Sequence, residues 1–480
     1  MKQEHIHLIG IGGTGMAALA GLLKESGVRV TGSDAKLYPP MSTILEEMSV
    51  EVKNGFRTEN LKPHPDMAVI GNIVKRGNEE AEYVLDNRIE YRSMPELIKE
   101  RFLRGKHSVV VAGTHGKTTT ASLLAWIFHR AGRDAGFLVG GIPKNFMKNY
   151  HFGSGDHFIV EGDEYETAFF DKGPKFMHYM PHTLVLGSIE YDHADIFKSL
   201  DEILLQFKRL VNIVPRSGRI VCCWESKNIR EVVHNSFSRV ESFGFGPDPF
   251  WRISSMETTS SKDRKNASER GSQWTEFDLY RESRFLKRFR INIPGRFNVL
   301  NATAAIAASL GNSIDLDTVS EALESFEGTK RRFEVIGTYR DITVIDDFAH
   351  HPTAIRETLQ AARERYSCSR IWAVFEPRSW SLRRNVFEND LAASFLMADE
   401  IIIAPVYGAE QLPASERLNV DNVIKELRRN GKSACTMKEG VDGIIKKLIE
   451  ELDERDVVII MSNGSFDNLY GKLLDKLSRT

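Results

Sequence analysis

Short runs of β-branched and other apolar residues alternate along most of the chain with longer stretches whose apolar positions recur at helical spacing. This pattern predicts a strand over His5 to Ile9, a helix reaching Leu22, and strands over Val28 to Gly32 and Met67 to Ile70. A charged segment from Glu96 to His107 separates that unit from a second, with strands expected at Val109 to Val111, Phe158 to Glu161, Thr183 to Leu186 and Arg219 to Cys223. A third unit follows Gly328, with strands over Thr343 to Ile345, Ile371 to Phe375 and Val457 to Met461. Its helices are expected over Ala354 to Glu364 and around Tyr470 to Leu477. Strand and helix in turn imply parallel α/β sheets, because a parallel neighbour is reached only through a crossover. The expected division is 1–105, 106–330 and 331–480. One stretch breaks the rhythm: Ser254 to Gln273 is polar and aperiodic, and predicts a mobile surface insertion near 254–273 without chemistry of its own.

A chain of 480 residues exceeds what one hydrophobic core spans, which agrees with several domains. Hydrophobic content of 41% with 27% charged residues describes a soluble globular protein. A net charge of -2 argues against a dedicated nucleic-acid surface, and no apolar run approaches the roughly 20 residues of a membrane span. Cys222, Cys223, Cys368 and Cys435 show neither zinc-ligand nor C-x-x-C spacing, and the N-terminus enters a strand without a signal-peptide pattern. A cytoplasmic protein is expected, a monomer or weak homodimer whose partners are small molecules.

Val109-Val110-Val111-Ala112 reads as a buried strand, and Gly113-Thr114-His115-Gly116-Lys117-Thr118-Thr119 as a glycine-rich turn opening a helix. Backbone N–H groups in such a turn cradle phosphate oxygens, a lysine reaches the β/γ oxygens, and a threonine hydroxyl can meet Mg²⁺. Val111 takes the place of the first glycine of the usual phosphate-loop pattern, leaving a shorter Gly113-x-x-Gly116-Lys117-Thr118. Two polar clusters stand at strand ends of the same unit, Glu161-Gly162-Asp163-Glu164 and Glu190-Tyr191-Asp192-His193-Ala194-Asp195. Magnesium needs few protein ligands beside water and phosphate, so Thr118, Glu161 and His193 would suffice.

Gly10-Ile11-Gly12-Gly13-Thr14-Gly15 after the first strand, with Asp34 ending the next, satisfies the dinucleotide fingerprint. The physics requires only a diphosphate at a helix N-terminus and a ribose hydroxyl for the acid. NAD(P), a nucleotide sugar, or a glycine turn without ligand all meet it, and an NAD(P)-dependent oxidoreductase stays open as a rival class. Asn298 and Asn301 lie on one face of an Ala-rich helix, where such amides can read an adenine edge or cap the helix. Three strands of the third unit run into polar groups: Asp346-Asp347-Phe348-Ala349-His350-His351-Pro352, Glu376-Pro377-Arg378-Ser379 and Ser462-Asn463-Gly464-Ser465. Open α/β sheets bind ligands at such ends.

Taken together, Gly113 to Thr119, Asp192-His193-Ala194-Asp195, Asn298-Val299-Leu300-Asn301, Lys330-Arg331-Arg332-Phe333 and Asp346 to Pro352 resemble the Mur ligase family. These are the ATP-dependent amide-bond-forming enzymes of bacterial cell-wall precursor synthesis. The resemblance covers essentially the whole chain and implies a Rossmann-like UDP-sugar domain, a central P-loop ATPase-type domain and a Rossmann-like acceptor domain. It implies that UDP-N-acetylmuramate, not NAD, occupies the first glycine turn, at Gly12, Gly13, Thr14, Gly15, Met16, Ser33, Asp34 and Asn72. ATP would meet Gly113, Thr114, His115, Gly116, Lys117, Thr118 and Thr119, with adenine at Asn298 and Asn301 and with Arg332 and Asp347 at phosphate and ribose. Lys117, Glu161, His193, His350 and Arg378 are the expected catalytic groups, with Mg²⁺ at Thr118, Glu161 and His193.

Gly32 to Thr43, Gly71 to Asn78 and Gly162 to Lys172 are similar to the branch that joins L-alanyl-γ-D-glutamyl-meso-diaminopimelate to UDP-N-acetylmuramate in peptidoglycan recycling. The alternative is the sister branch that adds L-alanine. The chain departs from the recycling pattern at Gly187-Ser188, where Asn-Asn is usual, and at Trp380-Ser381, where Asn-Thr is usual. Ser465, Asp467 and Asn468 stand where glycines are usual. Lys208 falls where some members carry a carbamylated lysine and is expected to be a surface lysine instead.

Overall fold

The computed structural model describes residues 3–37, 41–260 and 273–479. Tyr38, Pro39 and Pro40, which belong to one of the branch-specific segments, lie outside them. Among the described residues, three large sheets covered by helices build the molecule, with a small antiparallel ribbon of Glu166–Ala168 and Asp171–Pro174 beside them.

The first sheet is parallel, in the order Glu51–Asn54, Arg29–Asp34, His5–Ile9, Met67–Ile70, Tyr91–Ser93. The second has ten strands and centres on His107–Ala112, which lies between Thr183–Leu186 and His157–Gly162, both parallel to it. The third places Ile342–Asp347, Val457–Met461, Ile371–Phe375, Glu400–Ile403 and Ser433–Cys435 side by side in parallel, with Glu334–Tyr339 antiparallel at the edge. Central strands such as Ile371–Phe375 and Val457–Met461 are buried at every residue, which is why their sequences are continuous apolar runs and not alternating ones.

The predicted insertion is corrected in part. Trp251–Ser260 and Gln273–Arg281 pair antiparallel and, with Arg284–Ile291, extend the edge of the second sheet. Residues 254–260 are therefore strand, and 261–272 lie outside the described residues. The outward polar residues hid this strand, while its inward anchors, Trp251 and Ile253, sit at its very start.

Helices Lys117–Arg130 and Arg296–Gly311 pack together on one face of the second sheet. Alanines 302, 304, 305, 307 and 308 of the latter are buried, and such small side chains let two helices approach closely. Among the described residues, no helix is long and apolar enough to cross a membrane.

Candidate active site

Between strand His107–Ala112 and helix Lys117–Arg130 the chain turns through Gly113 at φ 128° and Gly116 at φ 79°. Both values favour glycine, and space forbids anything larger. A β-carbon on Gly113 would stand 2.8 Å from the Ser188 carbonyl, and one on Gly116 would collide with the Asn301 side-chain oxygen. Gly187 reciprocates: its β-carbon would lie 2.8 Å from the His115 carbonyl, which gives this departure from the usual Asn-Asn a packing role. No side chain caps the helix, so the N–H groups of its first turn face the loop as donors for an anion.

The Lys117 ammonium donates to the Gly113 carbonyl at 2.7 Å and to both Glu164 oxygens at 2.8 and 2.9 Å. His193 Nε2 lies 2.8 Å from the same carboxylate. Glu164 is buried, and burial alone would raise its pKa. The Lys117 ammonium and the His193 contact outweigh that and hold it below the usual carboxylate range. Burial likewise opposes the charge on Lys117 and on His193, yet Glu164 keeps both pKa values above their ordinary ones. His193 stands at φ 56°, in the left-handed region, fixed by the bond from its N–H to Asp192 Oδ1 at 2.7 Å.

Thr118 Oγ1 donates to Glu161 Oε2 at 3.2 Å, and Gly140 N donates to Glu161 Oε1 at 2.6 Å. Burial pushes the Glu161 carboxyl up. A hydroxyl and a carboxylate at the mouth of a phosphate loop form an all-oxygen donor set, which fits a hard cation such as Mg²⁺. His193 is bonded to Glu164 and not to this pair.

The amides of the adenine expectation bond to each other: Asn301 Nδ2 donates to Asn298 Oδ1 at 3.2 Å, and Asn298 Nδ2 donates to the Pro294 carbonyl at 2.7 Å. Asn298 is not the cap, since the helix begins after Gly295. From the turn that precedes the third sheet, Arg332 reaches Thr118 Oγ1 at 3.4 Å and lies over the Phe348 ring, while burial lowers its pKa. Asp347 is satisfied within its own domain by the N–H groups of Phe333 at 2.6 Å and Ala349 at 2.7 Å. His350, its pKa lowered by burial, and Arg378, stacked 3.8 Å over Tyr407, line a cavity of about 240 Å³ together with His193, Trp380, Arg383 and Asn463.

The first domain offers a second anion platform. Helix Thr14–Glu25 starts after Gly13 without a side-chain cap, and Thr14 at its start is exposed. Asp34 accepts from Gly12 N and Ala35 N, each at 2.8 Å, and so ties the turn to the second strand. Gly15 lies against Met94, where a β-carbon would come within 3.0 Å of its methyl group. Met16 is core, and Ser33 is buried with its hydroxyl donated to Glu80. Asn72 is exposed at the end of the Met67–Ile70 strand.

Three groups lay outside the sequence-based site. Glu164 clasps Lys117, and its signal was the density of carboxylates after strand His157–Gly162. Asp192 accepts from Ser381 Oγ at 2.7 Å, joining the second and third domains. Glu190 accepts from Thr353 Oγ1 at 2.7 Å and lies 3.2 Å from His115 Nε2. Burial opposes its charge, but His115 and Thr353 draw its pKa down to about 2. Lys208 is a surface lysine paired with Glu231 at 2.7 Å.

A glycine-rich strand-to-helix loop whose Thr118 meets Arg332 of a separate α/β domain, beside a cavity lined by both domains, is the arrangement of a nucleotide-dependent ligase. The chain belongs to the Mur ligase family: residues 5–104 match the Mur ligase family catalytic domain, 111–309 the middle domain and 331–464 the glutamate ligase domain. UDP-N-acetylmuramate–L-alanyl-γ-D-glutamyl-meso-2,6-diaminoheptandioate ligase of Haemophilus influenzae is 36% identical over 99% of both chains. The UDP-N-acetylmuramate–L-alanine ligase of Clostridium acetobutylicum is 32% identical over 99% of this chain and 98% of the other. A murein peptide ligase from Psychrobacter arcticus superposes with a TM-score of 0.72 at 34% identity, covering 99% of both chains.

Proposed function

We propose that this ligase uses ATP to join the lactyl carboxylate of UDP-N-acetylmuramate to the amino group of L-alanyl-γ-D-glutamyl-meso-diaminopimelate, in the cytoplasm, as a step of peptidoglycan recycling. The observation that carries the acceptor is full-length identity of 36% and 37% to relatives named for that peptide, against 32% to one named for L-alanine. The uncapped helix after Gly13 supports a diphosphate in the first domain, and the Lys117 loop supports ATP in the second.

In this reading the carboxylate attacks the γ-phosphate, ADP leaves, and the acyl phosphate is displaced by the peptide amine through a tetrahedral intermediate that expels phosphate. The protein contributes position and charge neutralisation. Glu164, bidentate on Lys117, occupies the role a phosphate oxygen pair would take, so ATP exchanges one anion for another on the ammonium. Thr118 and Glu161 would hold Mg²⁺, which neutralises phosphate charge when bound. His193 then stays with Glu164 and faces the cavity that also receives His350 and Arg378, where the acceptor and acyl phosphate would meet. Because Arg332, His350 and Arg378 arrive from the third domain, its seating on the second completes the site and keeps water from the acyl phosphate.

Phosphate release is measured with ATP, Mg²⁺ and UDP-N-acetylmuramate, adding either the tripeptide or L-alanine. Turnover is expected with the peptide and at most weakly with L-alanine; equal or greater turnover with L-alanine overturns the acceptor assignment.

A further inference from the structure

Beside the phosphate loop, the second and third domains bring together His115, Glu190 and His351, whose donor atoms all lie within 4.8 Å of one another. Glu190 Oε2 is 3.2 Å from His115 Nε2 and 3.5 Å from His351 Nδ1. Ligands about 2.1 Å from a tetrahedral metal centre are separated by about 3.4 Å, so the two Glu190 spacings match edges of such a polyhedron, while the His115–His351 pair, bounded at 4.8 Å, would draw together on an ion.

The hydrogen bonds decide which atoms can donate. His351 Nε2 lies 3.2 Å from the Tyr191 carbonyl, an acceptor only, so Nε2 carries the proton and Nδ1 the lone pair. That lone pair caps its own helix through a long contact from Thr353 N at 3.3 Å, and otherwise faces the Glu190 oxygen. Burial and the neighbouring His115 keep the ring neutral by pushing its pKa down to about 4. Glu190 Oε2 in turn accepts from Thr353 Oγ1 at 2.7 Å and meets His115 Nε2 at 3.2 Å, so a metal would displace the Thr353 contacts on both ligands. A histidine that donates its remote N–H to a carbonyl is also the usual arrangement around a metal ligand.

We infer that His115, Glu190 and His351 form a binding site for a borderline divalent transition metal, Zn²⁺ or Co²⁺, with a fourth position open. Two imidazoles and one carboxylate select such an ion over Mg²⁺, which prefers oxygen donors. The site is separate from the Thr118–Glu161 pair. Since His115 and Glu190 belong to the second domain and His351 to the third, the ion ties the phosphate loop to the third domain and holds the two together.

Co²⁺ is titrated into the full chain in excess Mg²⁺ without ATP, and the visible d–d absorption of four-coordinate cobalt is followed. One equivalent should produce the band and Zn²⁺ should abolish it. Glu190→Gln and His351→Asn, the latter keeping a residue that caps helices well, should weaken cobalt binding at least as much as the roughly 10–100-fold carried by outer-shell partners of metal sites. Circular dichroism on each variant shows whether it is folded. Absence of a band from the wild type, or equal bands in wild type and folded variants, overturns the assignment.

Discussion

Lys117 is held by Glu164, so its charge is neither free nor fully hydrated. Lys117→Ala removes the phosphate contact and leaves Glu164 buried with only His193. Turnover should fall by about 10²–10³, the usual loss when a preorganised donor to developing charge is removed, and thermal stability should fall as well, because the buried Glu164 loses its ammonium partner. Activity within tenfold of wild type would contradict the role. Gly116→Ala should act differently, since the new methyl meets Asn301 and the φ of 79° is unfavourable for alanine. Weaker ATP binding, seen by titration calorimetry, is expected even where the fold persists. Lysine, threonine and both glycines were readable from spacing alone. Glu164 was not singled out, because only the turn after Gly162 determines which carboxylate meets the ammonium.

At the scale of single elements, strand His107–Ala112 begins with a histidine packed against His157 and His182. Burial and these neighbours push the His107 pKa down to about 4. The unfolded chain takes up its proton near pH 6.5 and the folded chain does not, so stability must fall as pH drops from about 6.5 towards 4. Thermal melts at pH 7 and pH 5 should differ less for His107→Asn than for wild type; an unchanged difference would remove His107 as a cause. On the edge hairpin, Trp251 is buried and its indole N–H donates to the buried Glu241 at 2.9 Å. Trp251→Phe keeps most of the apolar area but removes this hydrogen bond, leaving the carboxylate to Arg239 at 2.9 Å and Arg219 at 3.6 Å. The loss should be about 1.5–3 kcal/mol, seen as lower thermal stability of the central domain. The parallel strands were legible because burial on both faces demands continuous apolar sequence. Residues 254–260 were not, since this half of the strand pairs on one side only, with Gln273–Arg281, and a half-exposed polar strand lacks that demand.

Across the whole molecule, the contacts that seat the third domain on the second include Ser381 to Asp192, Thr353 to Glu190, Arg332 to Thr118 and His351 to the Tyr191 carbonyl. Ser381→Ala removes a hydrogen bond to a buried charge, a contact of the kind that contributes about 1.5–3 kcal/mol. Small-angle scattering should then report a larger radius of gyration without substrates, reversed by ATP and UDP-N-acetylmuramate. Identical profiles for wild type and variant would show that this bond does not govern closure. A short segment of the third domain carries its own strain: Phe466, Asp467 and Asn468 occupy left-handed φ values of 45°, 47° and 55°, and Asp467 and Asn468 stand where the Mur ligase resemblance leads one to expect glycine. Asp and Asn tolerate that region better than other residues.

The sequence by itself determined the three α/β units, the phosphate loop and the family, because these depend on local periodicity, on glycines that the backbone requires, and on motifs a few residues long. The tertiary structure alone decided which charges meet. Lys117 finds Glu164, forty-seven residues on, and Glu190 finds Thr353 across a domain boundary. Asp347 and Ser33, expected to face ligands, are engaged by their own domains. Such pairings depend on how strand ends and domain faces converge in space, and chain spacing carries no record of that convergence.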